Sequence, residues 1–196
     1  MFIDVSKYQG NIDWARVRDE NLADPVNGVI LRASTRNGAL DTKLVENYNA
    51  ILKTMSNVKE LSVYKFSYAR NYGDARVECG DVLSKLHKAN IKFDYLYLDL
   101  ENFDGRSYTT EETNHVITAY LDAFRAAGLT GKLRLYFNYD YLKRVIDSRW
   151  RNFPIWLARY NSKMGDTFGA NVVLWQYTST GKVNGINGNV DCSKEV

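Results

Sequence analysis

Two spacings of apolar residues alternate along this chain. Short apolar runs rich in Val, Ile, Leu, Phe and Tyr are typical of buried strands, while the segments between them repeat apolar residues every three or four positions, as amphipathic helices do. The helical segments follow the first five runs, and the last three runs leave little room for helices between them. The eight predicted strands lie in FIDVS, NGVILRAS, LSVYKFSYA, FDYLYLDLEN, LRLYFN, PIWLARY, NVVLWQYTS and GNVDCS.

The order of these segments predicts an α/β fold. Strands that alternate with helices form a parallel sheet with the helices packed outside, and eight such strands close into a TIM-like (β/α) barrel. This barrel is expected to be irregular, with helices after the first five strands and largely none among the last three. Because no linker, low-complexity stretch or internal repeat interrupts the sequence, residues 1–196 are expected to form one domain.

Two of the predicted helices carry specific signals. Thr109 or Thr110, followed by Glu112 or Thr113, provides a start for the fourth helix, and Gly128 provides its end. The second helix is expected to bury one face, made of Leu44, Tyr48, Ile51, Leu52 and Met55.

Two carboxylates end the fourth predicted strand. Because side chains alternate across a strand, Asp99 and Glu101 share one face, and a rise of roughly 3.3 Å per residue places their backbones about 6.5–7 Å apart. Two plainer interpretations compete with a catalytic pair. The strand ends at Asp99 and leaves Glu101 in a solvated loop, or each acid holds a nearby Arg or Lys.

The barrel brings two further acids to this pair. Active sites of such barrels lie at the C-terminal ends of the strands. Asp4 ends strand 1 and Asp191 lies on strand 8, and these strands become neighbours when the barrel closes. Four carboxylates crowded into one mouth cannot all ionise easily, so at least one should titrate high. The alternatives are an Asx-type turn with Ser6 for Asp4, and a simple turn after NGN for Asp191.

Aromatic residues are abundant, with 14 Tyr, 8 Phe and 4 Trp. Aromatic side chains fill cores and also offer platforms for flat ligands such as sugar rings. For each aromatic near a strand end, a place in the barrel core competes with a place in a binding groove. The candidate substrate-binding residues are Arg32, Tyr64, Tyr136, Asn138, Trp156, Tyr160, Trp175 and Gln176.

Composition argues against several other classes of protein. The net charge is +3 with scattered Lys and Arg, which disfavours a dedicated nucleic-acid binder, and no run of about 18 apolar residues suggests membrane insertion. Cys79 and Cys192 have no CxxC pattern or nearby His, so both are expected to be free thiols. No metal or cofactor is expected, and a monomer is the default.

Four segments together resemble glycoside hydrolase family 25, the lysozymes or muramidases of phage endolysin and bacterial autolysin type. The segments are IDVSKYQGNIDW, YLDLEN, PIWLARY and LWQYTSTGKVNGINGNVDCS, and they span essentially the whole chain in order. The resemblance implies an irregular barrel that cleaves the β-1,4 bond between N-acetylmuramic acid and N-acetylglucosamine in peptidoglycan. Two positions depart from the family pattern: Lys65 stands where His is common, and Cys192 where an apolar residue is.

The family's acidic residues map onto Asp4, Asp99, Glu101 and Asp191. The resemblance implies that Glu101 is the general acid/base. Asp99 is expected to assist the substrate's own 2-acetamido group, with direct nucleophilic attack as the alternative, and either role gives net retention. Asp4 and Asp191 are expected to act indirectly, by holding Asp99 and raising the proton affinity of Glu101.

Two other functions remain open from the sequence. One is a wall-binding module that kept the groove without chemistry, and the other is a hydrolase that uses the acids to hold a divalent metal. The expected place of action is the bacterial cell wall, and the expected partner is its glycan strands. Because Phe2 already enters a strand, no signal peptide is visible, so secretion by another route or release by a phage lysis system is expected.

Overall fold

The computed structural model describes residues 1–56 and 58–196. Eight strands close into one barrel in chain order, and an α-helix follows each of the first five strands. This confirms the predicted irregular barrel. The strands and helices are β1 Phe2–Val5, α1 Trp14–Asp19, β2 Gly28–Arg32, α2 Leu44–Thr54, β3 Glu60–Phe66, α3 Tyr72–Lys88, β4 Leu96–Asp99, α4 Thr110–Ala126, β5 Leu133–Asn138, α5 Tyr139–Arg144, β6 Ile155–Ala158, β7 Val172–Gly181 and β8 Val190–Glu195.

The direction of β8 differs from that of the other strands. Neighbours from β1 to β7 are parallel, whereas β8 runs antiparallel to both β7 and β1. The short β7–β8 connection allows only this direction, because a parallel crossover needs a dozen or more residues. Asp191 therefore reaches the mouth from the N-terminal part of its strand, unlike the residues at the C-terminal ends of β1 to β7.

The alternation of side chains sorts the core into two parts. Leu96 and Leu98 face outward and pack with the helices in the larger core, while Tyr97 faces the barrel interior. Strands that are buried on both faces give nearly continuous apolar runs, which explains the sequence pattern. The interior cluster is made of Phe2, Ile30, Tyr97, Tyr136, Trp156, Ala158 and Leu174.

The helix signals are confirmed in one case and partly wrong in the other. Thr109 caps α4 in a capping box with Glu112, and α4 is followed by Gly128 with φ of 70°. In α2, however, Leu52 is 59% exposed. Asn47 is buried instead, because its Oδ1 accepts a hydrogen bond of 3.2 Å from Trp14 Nε1.

Both cysteines are free, as predicted, and both are buried in the outer core. Cys192 points away from the barrel interior, between two inward-facing neighbours, Asp191 and Ser193. Within the described ranges, no helix is both long and apolar enough to cross a membrane.

Candidate active site

A cavity of about 360 Å³ lies at the C-terminal ends of β1 to β7. It gathers all four predicted acids and most of the predicted binding residues. Its lining consists of Asp4, Arg32, Tyr64, Phe66, Tyr68, Asp99, Glu101, Tyr136, Trp156, Tyr160, Gln176 and Asp191.

Strand β4 positions Asp99 and Glu101 at the cavity. The strand ends at Asp99, but Leu100 N still donates to Tyr136 O at 3.3 Å, which extends the pairing by one residue. Leu100 stays buried in the outer core, so Glu101 faces the cavity and is half-buried rather than solvated. Among the described residues, neither acid has a Lys or Arg nitrogen within 4.0 Å. Neither plainer interpretation of the pair is thus supported.

Asp4 and Asp191 form a second carboxyl pair. They are cross-strand partners on β1 and β8, and their carboxyl groups share a hydrogen bond. Burial, and next the charge of Asp191, raise the pKa of Asp4 well above its usual value. Burial also raises the pKa of Asp191, but the hydrogen bond from Asp4 opposes that shift. Asp4 is therefore the member that keeps the proton and donates it to Asp191. Gln176 Nε2 donates to Asp4 Oδ2 at 2.9 Å.

Two tyrosines orient Gln176. The hydroxyl groups of Tyr136 and Tyr160 both donate to Gln176 Oε1 at 2.9 Å, which directs its amide nitrogen to Asp4. The Tyr136 hydroxyl also lies within hydrogen-bond reach of Glu101. One hydroxyl proton serves only one acceptor at a time. Because Tyr160 also donates to Gln176, Tyr136 can turn to Glu101 without leaving the amide oxygen unsatisfied.

Asn138 holds Glu101 from outside the cavity lining. Its Oδ1 accepts the Tyr141 backbone N–H at 3.0 Å and caps α5, which leaves its amide N–H groups to donate to Glu101. Burial raises the pKa of Glu101, the hydrogen bonds from Asn138 and Tyr136 lower it, and the charge of Asp191 raises it. The pKa of Glu101 lies above its usual value as a result.

Asp99 has the least complete hydrogen bonding of the four acids. Burial, followed by the charges of Glu101 and Asp4, raises its pKa well above the usual value, and the charges of Lys65 and Arg32 oppose that shift. Its Oδ1 is buried and has no hydrogen-bond partner among the residues that the structure describes. A neighbour that donated a hydrogen bond there would favour the ionised form.

The prediction that Trp175 lines the groove is wrong. Trp175 and Gln176 are consecutive on β7, so their side chains point to opposite faces, and Gln176 takes the inward one. The Trp175 indole donates to Arg159 O at 2.9 Å, and Lys194 Nζ lies 4.7 Å from its ring. Trp156 lies at the floor, where its Nε1 donates to Ser193 Oγ at 3.0 Å.

Phe66 and Tyr68 line the cavity but were not among the predicted binding residues. The signal was available, because Tyr64 and Phe66 share the inward face of β3 and Tyr68 continues that period. The two histidines, His87 and His115, are exposed on α3 and α4. In the described part of the chain, no group of three or more His, Cys, Asp or Glu side chains is arranged to hold a metal ion.

The arrangement is suited to acid–base cleavage of a glycosidic bond. Such cleavage needs one group that gives a proton and one that stabilises positive charge on the sugar, and carboxyl groups with separated pKa values supply both. The aromatic walls match the flat faces of sugar rings.

Comparison with known proteins gives a consistent result. The sequence model of glycosyl hydrolases family 25 matches residues 3–186. The uncharacterized protein YegX of Escherichia coli (strain K12) is 26% identical over 190 residues, which cover 96% of this chain and 66% of that protein. This chain therefore spans slightly less than two thirds of that relative.

Solved structures share the fold. The modular autolysin LytC from Streptococcus pneumoniae, in complex with a synthetic peptidoglycan ligand, has a TM-score of 0.83 and 27% identity, covering 98% of this chain and 45% of that one. The catalytic domain of endolysin ply40, from bacteriophage P40 of Listeria monocytogenes, has a TM-score of 0.71 and 23% identity, covering 100% and 92%.

Proposed function

Because this chain belongs to glycosyl hydrolases family 25, we propose that it is a peptidoglycan hydrolase of the N-acetylmuramidase type. It cleaves the β-1,4 bond between N-acetylmuramic acid and N-acetylglucosamine in bacterial cell walls, acting as a monomer. The observation that carries this proposal is the meeting of Asp99 and Glu101 in one aromatic-walled cavity at the end of β4. The peptidoglycan ligand of the similar autolysin supports the substrate class.

Glu101 acts as general acid and then as general base. Its raised pKa keeps a proton available for the leaving oxygen. Asn138 orients the carboxyl group, and Tyr136 offers a hydrogen bond that stabilises the carboxylate formed once the proton has left. The carboxylate then takes a proton from the attacking water.

Asp99 assists the substrate's 2-acetamido group as that group attacks the anomeric carbon. Its unpartnered Oδ1 is a suitable acceptor for the acetamide N–H. That hydrogen bond lowers the pKa of Asp99, against the effect of burial, so Asp99 carries the negative charge while Glu101 keeps the proton. The positive charge of the cyclic intermediate stabilises the Asp99 carboxylate further.

Asp4, Asp191 and Gln176 act as supports. Asp4 keeps its proton in the bond to Asp191, so this pair places one negative charge near the site rather than two. Gln176 connects that pair to Tyr136, and through it to Glu101.

The test combines wall clearing with analysis of the new chain ends. The protein should clear a turbid suspension of bacterial walls and leave N-acetylmuramic acid at the new reducing ends. New N-acetylglucosamine reducing ends would identify a glucosaminidase, and new amino groups would identify an amidase or peptidase. Binding to the walls without clearing would indicate a binding module.

Glu101→Gln should retain the fold, since glutamine still accepts the Asn138 hydrogen bond. Wall cleavage should fall by about 10²–10⁴-fold, the usual contribution of general acid catalysis. The matched control is Glu111→Gln, which removes an exposed carboxylate in the first turn of α4. Equal activity of the two variants would contradict the role of Glu101.

A further inference from the structure

One cation lines the acidic cavity without an acidic partner. Arg32 ends β2, and its Nε donates to Ser34 O at 3.3 Å. The hydroxyl groups of Tyr8 and Tyr68 lie within its hydrogen-bond reach. In the ranges that the structure describes, no carboxylate oxygen lies within 4.0 Å of the guanidinium. A half-buried guanidinium whose hydrogen bonds go to neutral groups can still form a direct ion pair with a carboxylate that enters the cavity.

A second cation lies beside the first. Lys7 Nζ is 5.3 Å and Arg32 Cζ is 5.9 Å from the centre of the Tyr8 ring, and Tyr8 is 76% exposed. Lys7 is exposed and, like Arg32, has no ion pair among the described residues. Lys7 and Arg32 form what we call the cationic edge, on the β1–β2 side of the cavity.

The proposed substrate has a feature that fits this edge. N-acetylmuramic acid differs from N-acetylglucosamine by a 3-O-lactyl group. Its carboxyl is free in peptide-stripped glycan and amide-linked to a stem peptide, which carries its own carboxylates, in intact wall. The ionised acids in the cavity repel such a group, whereas a guanidinium fork binds a carboxylate through two parallel hydrogen bonds.

We propose that Arg32, assisted by Lys7, binds a carboxylate of the muramic acid substituent and thereby selects carboxylate-bearing glycan. The inference rests on the proposed function and adds a specificity residue to it. It differs from a simpler role in which Arg32 only keeps Asp99 ionised. That role would affect every substrate equally and would appear in kcat, whereas carboxylate binding appears in KM and only for charged substrates.

The experiment uses soluble glycan strands in two pairs. One pair keeps the stem peptides and the other is stripped by an amidase, and one member of each pair has its carboxyl groups converted to neutral methylamides. kcat and KM are measured for the wild type, Arg32→Gln, Arg32→Lys and the control Arg125→Gln. Arg125 is an exposed residue in the last turn of α4, away from the mouth.

Methylamidation should lower the wild-type kcat/KM by about 10–100-fold in one pair, the value of a hydrogen bond to a charged group. Arg32→Gln should cause a similar loss on the charged member and little loss on its methylamide, because the two changes remove one interaction. Arg32→Lys should recover part of the loss, and Arg125→Gln should match the wild type. The pair that responds identifies the lactyl or the stem-peptide carboxylate.

Two results would overturn the inference. One is a change of less than about twofold in the wild-type kcat/KM on methylamidation in both glycan pairs. This measurement uses only the wild type, so it does not depend on whether a variant folds. The other is an equal loss for Arg32→Gln on charged and neutral members. If the wild type cleaves none of the four glycans, the proposed function fails, and equilibrium binding of the same glycans still decides whether Arg32 discriminates between them.

Discussion

A buried ion pair supports one wall of the cavity from behind. Lys65 faces outward from β3 and is 2% exposed, and its Nζ lies 2.7 Å from Glu78 on α3. Glu78 also accepts hydrogen bonds from Ser67 Oγ at 2.8 Å and from Tyr68 N at 3.1 Å. Glu78 therefore fastens to α3 the segment that carries Phe66 and Tyr68 into the cavity lining.

Removing the acid should be costly. Glu78→Leu leaves a buried ammonium without its counter-ion, which destabilises a protein by about 3–5 kcal/mol. For a chain of this length each kcal/mol lowers Tm by about 2–4 °C, so the expected drop is about 6–20 °C. The double variant Lys65→Met/Glu78→Leu should be more stable than Glu78→Leu, because no buried charge remains. The Ser67 hydroxyl and the Tyr68 backbone N–H still lose their acceptor. The double variant should therefore remain less stable than the wild type.

The pH dependence of this loss has a definite sign. Burial lowers the pKa of Lys65 even with Glu78 present, and it lowers it further without that carboxylate. The unfolded chain keeps its lysine proton up to about pH 10.4. The folded variant therefore binds fewer protons than its unfolded chain below that pH, and its stability rises as pH increases. The difference from the wild type should shrink between pH 7 and pH 9.

Urea and thermal unfolding measure these effects. The matched control is Asp81→Asn, which breaks the exposed pair between Asp81 and Lys85 on the same helix and should cost no more than about 1 kcal/mol. The reasoning is refuted if Glu78→Leu costs no more than this control. It is also refuted if the double variant is as unstable as the sum of its two single variants, since buried partners should couple.

Four further predictions concern the carboxyl groups. Asp99→Asn should be severely impaired and azide should not rescue it as a glycosyl azide, whereas such rescue would identify a direct nucleophile. The wild type should yield the retained β-anomer first, and an inverted product would make one carboxylate a base for water. Burial raises the pKa of Asp99, so the contribution of Asp99 to stability falls as pH rises above about 3.9. Asp99→Asn should therefore have the higher Tm at pH 7, with the difference from the wild type vanishing near pH 4, and a higher wild-type Tm at pH 7 would contradict this. Tyr136→Phe removes a hydrogen bond that lowers the pKa of Glu101, so the alkaline limb of kcat/KM should move to higher pH, and a move to lower pH would contradict the assignment.

The fold was predictable because its signals are local. Strands buried on both faces appear as apolar runs, and the capping box at Thr109 and the glycine at position 128 mark the ends of α4. Leu52 was misplaced because helical spacing alone does not locate the edge of a buried face. Asn47 is buried only because it pairs with Trp14, a residue 33 positions away that the local pattern does not include.

The site was predictable to the extent that strand ends define it. Barrel closure brought Asp4 and Asp191 into register as expected. Consecutive residues on β7 cannot both face inward, so Trp175 and Gln176 cannot both line the groove. Which residue turns inward depends on the register of β7 against β6, where Ala158 pairs with Gln176, and on an irregularity near Ile155 that the sequence does not mark.

The placement of the acids explains why a buried strand ends in two carboxyl groups. Asp99 is 7% exposed and follows Leu98, which is fully buried, so the outward leucines of β4 anchor the strand while its inward face carries the charge. Burial is the largest cause of the raised pKa of Asp4, Asp99 and Glu101 alike. The fold is therefore less stable at neutral pH than the same barrel with neutral residues there, and the same burial keeps a proton on Glu101 for the reaction. Burial of the acids at the mouth thus causes both the loss of stability and the raised pKa values that suit catalysis. A substitution there that increases stability should therefore reduce activity.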